Sequence, residues 1–162
     1  MPASAAQENS KKGRDSVNMK SEAQIYLEKP GKLDLRIKNK LIEKKQWRDI
    51  ALGITANMDG ERVQSSSGKS KMADAVVKCV DIEAEIDSLV DDLIDTNREV
   101  VHIIEQVDSP IEYDVLHRRY IQYQTLQEIA DHYGKDYSWA KLTCKRGRYS
   151  VQRILEKKMG KH

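Results

Sequence analysis

Five side chains able to touch a nucleic acid recur at steps of three and four near the C-terminus: Ser138, Lys141, Lys145, Arg148 and Gln152. Arg146 and Arg153 flank them. Such steps bring side chains to one face of a helix, so the set is predicted to form an outward cationic stripe. The chemistry it offers is recognition of duplex DNA. Side chains in the first turns reach base edges in the major groove, while later ones neutralise phosphates. A solvated basic face is the alternative. Ala140, Thr143, Gly147, Val151 and Ile154 fall on the complementary face and are predicted to point inward.

A recognition helix needs a turn that aims it. Thr125-Leu126-Gln127-Glu128 reads as a capping box, in which the threonine side chain and the glutamate three residues on satisfy each other's backbone N–H. Gly134 follows where a left-handed residue is needed to end a short helix. Ala130 and Ala140 are small enough for two backbones to cross closely. Sixteen residues before the threonine, Ser109-Pro110-Ile111-Glu112 repeats the capping pattern with proline at the first helical position. Residues 109–162 therefore read as three helices, the last over 137–158. Gly147 costs that helix about 1 kcal/mol relative to alanine and marks either a bend or a close contact. Thr125 and Tyr137, at the starts of two helices, join Ser138, Lys141, Lys145, Arg146, Arg148 and Gln152 as expected DNA contacts. Arg118 and Arg119 on the preceding helix, with Lys157 and Lys158 at the far end, are expected on phosphates. Tyr120, Tyr123, Tyr133, Tyr137, Trp139 and Tyr149 are expected mostly to close the core, with stacking on single-stranded bases as the alternative.

What carries this unit is long and charged. A third of the 162 residues are charged, 39% are apolar and phenylalanine is absent, which suits extended amphipathic helices better than a large compact core. The net charge of +2 hides a segregation. Residues 81–114 hold twelve acids against Arg98 alone, while 141–161 hold eight Lys or Arg against Glu156 alone. A polyanion partner is thus expected for one end of the molecule only.

Met72, Ala75, Cys79, Ile82, Ile86, Leu89, Leu93, Thr96, Val100, Ile103 and Val107 alternate steps of three and four, a heptad seam. Ile25, Leu33, Ile37, Leu41, Ile50, Ala51 and Ile54 predict a preceding helix over 22–58, bent near Pro30-Gly31 and basic where its successor is acidic. The expected fold is therefore all-α. It comprises a disordered tail (1–20), an antiparallel helical hairpin or coiled coil (21–108, with a loop at about 59–70) and a three-helix DNA-binding unit (109–162). Whether the hairpin closes within one chain or between two copies stays open.

Little else suggests chemistry. His102, His117, His132 and His162 share no metal-ligand spacing with Cys79 or Cys144. Asp91, Asp92 and Asp95 read as a polar helix face, and no phosphate-cradling glycine loop or nucleophile elbow is present. No catalytic residue, metal or cofactor is expected, and the chain is read as a non-enzyme. Cysteines so far apart argue against a disulfide framework and for a reducing cytoplasm. No stretch has the length or hydropathy of a membrane span, so no membrane partner is expected.

The segment YQTLQEIADHYGKDYSWAKL resembles the helix-turn-helix of sigma-70 region 4. From about Ile25 to Leu155 the chain resembles phage transcriptional regulators of the ArpU/RinA type. The likeness lies in Val63-Gln64-Ser65-Ser66, the DIEAEID heptads, Arg119-Tyr120-Ile121, Glu128-Ile129-Ala130 and Trp139-Ala140-Lys141. It departs from the sigma pattern at Lys135-Asp136, where an apolar residue often follows the turn glycine, and at Gly147. The resemblance implies regulation of late phage genes in a bacterial host through promoter binding. RNA polymerase, contacted through the hairpin or the acidic helix, is a further expected partner, and the hairpin is the expected surface for any homodimer. Two other classes share the same elements: small terminase subunits that package DNA, and coiled-coil adaptors without DNA affinity.

Overall fold

The computed structural model describes residues 20–53 and 67–160, which form six helices and, among those residues, no strand. They are α1 (Glu22–Leu27), α2 (Lys29–Ala51), α3 (Ser67–Ile104), α4 (Pro110–Tyr120), α5 (Leu126–Tyr133) and α6 (Tyr137–Met159). The expected tail before Lys20, Ile54 and Met58, the Val63–Ser66 motif and His162 lie outside the described residues. No helix of the described residues is long and apolar enough to cross a membrane.

The single helix expected over 22–58 is divided. Ser21 caps α1 by accepting from the Gln24 N–H, and α1 stops at Leu27. The break falls at Glu28, two residues before the predicted bend, because Pro30 lacks an N–H and is tolerated in the first turn of a new helix. α2 ends at Ala51, where the Leu52 and Gly53 N–H groups close back on the Arg48 and Ile50 carbonyls. Gly53 takes a left-handed φ of +67° there. α3 begins at Ser67, inside the stretch expected as loop.

α2 and α3 lie side by side in opposite directions. Lys40 pairs with Glu85 at 2.7 Å and Lys44 with Glu83 at 3.0 Å, so residue numbers rise on one helix as they fall on the other. Solvent-exposed pairs of this kind are worth only ~0–1 kcal/mol each. The apolar seam does more: Ile37 of α2 is buried against Ile82, Ile86 and Leu89 of α3, with Leu33, Trp47 and Leu93 half-buried at its edges. Ala75 is also buried, whereas Met72 at the start of the heptads is exposed.

A second, larger core joins elements from both ends of the chain. Ala23 and Leu27 of α1 and Val100, Ile103 and Ile104 of α3 pack with Val115, Leu116 and Tyr120 of α4. Val107 between α3 and α4, Ile129 and Ala130 of α5, and Ala140, Cys144 and Val151 of α6 complete it. The packing thus runs straight across residue 108. Three short helices of about 50 residues bury too little surface by themselves, and α1 with the last turns of α3 supply the missing apolar area. Gln152 on α6 fixes α1 in place, its Oε1 accepting from the Ala23 N–H at 2.9 Å. Gly147 is a close-packing position: a Cβ there would lie 2.8 Å from Leu116 Cγ.

Candidate nucleic-acid interface

The α5–α6 pair is set by local hydrogen bonds that leave it little freedom. Thr125 Oγ1 accepts from the Glu128 N–H, and the Thr125 N–H donates to Glu128 Oε2 at 2.6 Å, so both arms of the capping box are made. Gly134 adopts φ 61° and ψ 35°, with its N–H on the Asp131 carbonyl and that of Lys135 on the Ala130 carbonyl. Asp136 then caps α6, its Oδ1 accepting from the Trp139 N–H at 2.7 Å. Ala130 and Ala140 are fully buried, as two closely crossing backbones require.

Side-chain bonds lock this pair onto α4. Asp114 accepts from the Tyr133 hydroxyl and from Arg118 Nε, the latter at 2.7 Å. Burial alone would raise the Asp114 carboxyl, but those two donors outweigh it and hold the group below the usual carboxylate range. Ser109 caps α4 by accepting from the Glu112 N–H. The Glu112 carboxylate does not complete a box; its Oε2 accepts from Ser150 Oγ at 2.9 Å and ties α4 to α6.

The face of α6 left to solvent carries Ser138, Lys141, Lys145 and Arg146, all exposed. Two other residues share it that the sequence reading assigned elsewhere or passed over. Leu142 is 48% exposed and Tyr149 is 61% exposed, with the Lys145 ammonium 5.9 Å from the Tyr149 ring centre. Arg153 is exposed as well. The open stripe therefore runs Ser138, Leu142, Lys145, Tyr149, Arg153, rotated from the predicted one by about half the width of a helix face. The same three- and four-residue steps were present in the sequence. Apolar character argued for placing Tyr149 inward, and only the packing of α1 shows which register faces out.

Arg148 and Gln152 correct the predicted stripe. Both are half-buried, because α1 and the start of α2 lie over that flank of α6. Arg148 Nη1 reaches the Tyr120 hydroxyl at 3.4 Å and Cys144 Sγ at 3.8 Å. Burial pushes Tyr120 up to about 12 and also raises the Cys144 thiol, so both partners stay neutral beside the guanidinium. Gln152 is occupied with Ala23 and, through Nε2, with Glu156 at 3.0 Å. A groove of about 430 Å³ opens on this side, lined among others by Leu27, Gly31, Arg119, Tyr123 and Arg148, and by none of Ser138, Lys141 or Lys145.

The remaining expected contacts are spread out. Arg118 is half-buried in its pair with Asp114. Arg119 donates to the Gln124 carbonyl at 2.9 Å and so braces the α4–α5 connection, where Tyr123 has a left-handed φ of 57°. Thr125 is exposed, but its hydroxyl is engaged in the cap. Tyr137 is half-exposed at the first position of α6, while Lys157 and Lys158 are exposed in its last turn. Comparison with protein-family models, with curated proteins and with solved structures finds no match to this chain.

Proposed function

We propose that the chain binds duplex DNA, with α5 and α6 acting as a helix-turn-helix and the exposed face of α6 entering the major groove. The observation that carries this reading is the start of α6. Lys141, Lys145 and Arg146 stand exposed on a helix aimed by a capped, left-handed turn, and no acidic residue occurs between Tyr137 and Leu155. Leu142 adds an apolar contact suited to a thymine methyl, and Tyr149 keeps the Lys145 ammonium on the open side. Phosphate contacts fall to Arg146, Arg153, Lys157 and Lys158. Arg118, Arg119, Arg148 and Gln152 act chiefly in holding the unit together. In line with the resemblance to phage regulators of the ArpU/RinA type and to sigma-70 region 4, the biological role is control of promoter activity in a bacterial host. The acidic α3 is then the surface offered to RNA polymerase, and the chain has no catalytic activity of its own.

The test separates base reading from charge. Lys145→Ala should weaken binding to a selected site by ~1–3 kcal/mol and relax sequence preference. Lys158→Ala should weaken selected and random DNA alike and reduce the log-log salt slope by ~0.9. Mobility shifts at several salt concentrations read both. Absence of any salt-dependent DNA affinity in the full chain, or identical behaviour of the two variants, overturns the assignment.

A further inference from the structure

The groove between α1, the start of α2 and the α4–α6 unit holds more positive charge than the fold around it balances. Lys20, Lys32, Arg119 and Arg148 line it against a single carboxylate, Glu28. That carboxylate is already engaged, accepting from Lys20 Nζ at 2.7 Å and from Gln24 Nε2 at 2.9 Å. Arg119 and Arg148 are half-buried, and among the described residues neither is paired with a carboxylate. Arg119 donates to the Gln124 carbonyl, while Arg148 makes only long contacts through Nη1, at 3.4 Å to the Tyr120 hydroxyl and 3.8 Å to Cys144 Sγ. Arg118, one residue earlier on α4, has a carboxylate partner in Asp114 at 2.7 Å. Burial raises the Cys144 thiol, and Arg148 and Arg119 both oppose it, which sets the two guanidiniums near the same sulfur. A guanidinium carries five N–H donors, and holding one part-way out of water without a counter-charge is unfavourable.

We propose that this groove binds a small organic anion, a carboxylate carried on an apolar body. The carboxylate meets the planar fork of Arg148, a geometry suited to two parallel charge-assisted bonds, and Arg119 and Lys32 add positive charge beside it. The apolar body has surfaces to cover in Leu27, Leu35, Leu126 and the ring of Tyr123. The volume of about 430 Å³ lies within the ~300–1,000 Å³ of small-ligand sites. Tyr123 marks one wall: its ring stands 3.6 Å from where a Gly31 Cβ would sit, and its left-handed φ of 57° is uncommon for a bulky residue. Strained backbone of this kind collects at ligand clamps. Inorganic phosphate would answer the charge and leave the apolar lining in water. A duplex would bring phosphates but no apolar body to enter the groove. Because the lining comes from α1, α2, α4, α5 and α6, a bound anion ties the two ends of the chain together and stabilises the folded state by mass action. The inference does not rest on DNA binding.

The experiment is a titration of the full chain with 2-naphthoate, followed by amide chemical shifts and by melting temperature. Binding should saturate, raise the melting temperature and move the amides of Leu27, Lys32, Tyr123, Leu126 and Arg148 most. 2-Naphthamide, which has the same body without the charge, and inorganic phosphate, which has the charge without the body, should each bind at least about tenfold more weakly. Arg148→Gln should lose naphthoate affinity by a similar factor. Leu35→Glu sets a carboxylate at the groove on a side chain that is 59% exposed, so the fold tolerates it, and it should lose affinity as well. That variant decides the matter if Arg148→Gln loosens the fold. Absence of saturable naphthoate binding overturns the proposal, as does equal affinity for the amide, or full affinity in both variants. Shifts at these amides from phosphate or duplex DNA, with none from naphthoate, also overturn it and make the groove part of a nucleic-acid surface.

Discussion

The two packed regions of this protein differ in how completely they solve the same problem. The α2–α3 pair relies on Ile37, Ile82, Ile86 and Leu89, of which only Ile82 is nearly sealed from solvent, and leaves Leu41, Val80 and Ile94 largely in water. The unit built from α1, the end of α3 and α4–α6 buries fourteen residues, most of them completely, and every helix start after α3 carries a side-chain cap. Two helices have only one mutual face, whereas elements packed from several directions enclose a volume. The enclosed packing is thus concentrated where α6 is aimed.

The widest separation between the regions should come from matched truncations. Leu116→Ala removes a fully buried side chain that touches α6 through Gly147, and should cost about 3–5 kcal/mol of unfolding free energy. Leu89→Ala, at a seam open on one side, should cost no more than about 2 kcal/mol, because solvent and neighbours refill the space. Urea denaturation with unchanged slope checks both. Equal losses would mean that the helical pair is as well packed as the other unit.

A smaller effect tests whether α1 belongs to that unit. Gln152→Ala removes the acceptor of the Ala23 N–H and should destabilise by about 1 kcal/mol. Hydrogen exchange should quicken in residues 22–27 while the amides of α5 keep their protection. If exchange in α1 is unchanged, its apolar contacts through Ala23 and Leu27 hold it alone. The smallest effect concerns pH. Asp114 is held below its ordinary value in the folded state, so its contribution is present above the unfolded pKa and disappears as pH falls through the folded one. Its partial exposure limits the contribution to under about 1 kcal/mol. Asp114→Asn should flatten the acid limb of the stability curve, and a limb unchanged from wild type would count against the Tyr133–Asp114–Arg118 cluster as its source.

Much of this was legible because it is local. The Thr125 box, the Gly134 stop and the heptads on α3 are relations between residues three to seven apart, and backbone geometry alone enforces them. The inward face of α6 at Ala140, Thr143, Gly147 and Val151 follows from the same periodicity. The break at Glu28 was displaced from the predicted bend because proline constrains its own residue and the one before it, and several nearby arrangements satisfy that.

What the sequence by itself determined is therefore an all-helical chain with a capped turn before a basic final helix. Only the tertiary structure decided which side of that helix is free. Arg148 and Gln152 lie three and seven residues after Lys145, while Leu142 lies three before it and Tyr149 four after, so helical period cannot rank them. The ranking comes from Ala23 and Leu27, more than a hundred residues away, which need a surface to cover and find it on the Gln152 side of α6. Burial is set by whichever element lies opposite, and that depends on how the whole chain returns on itself.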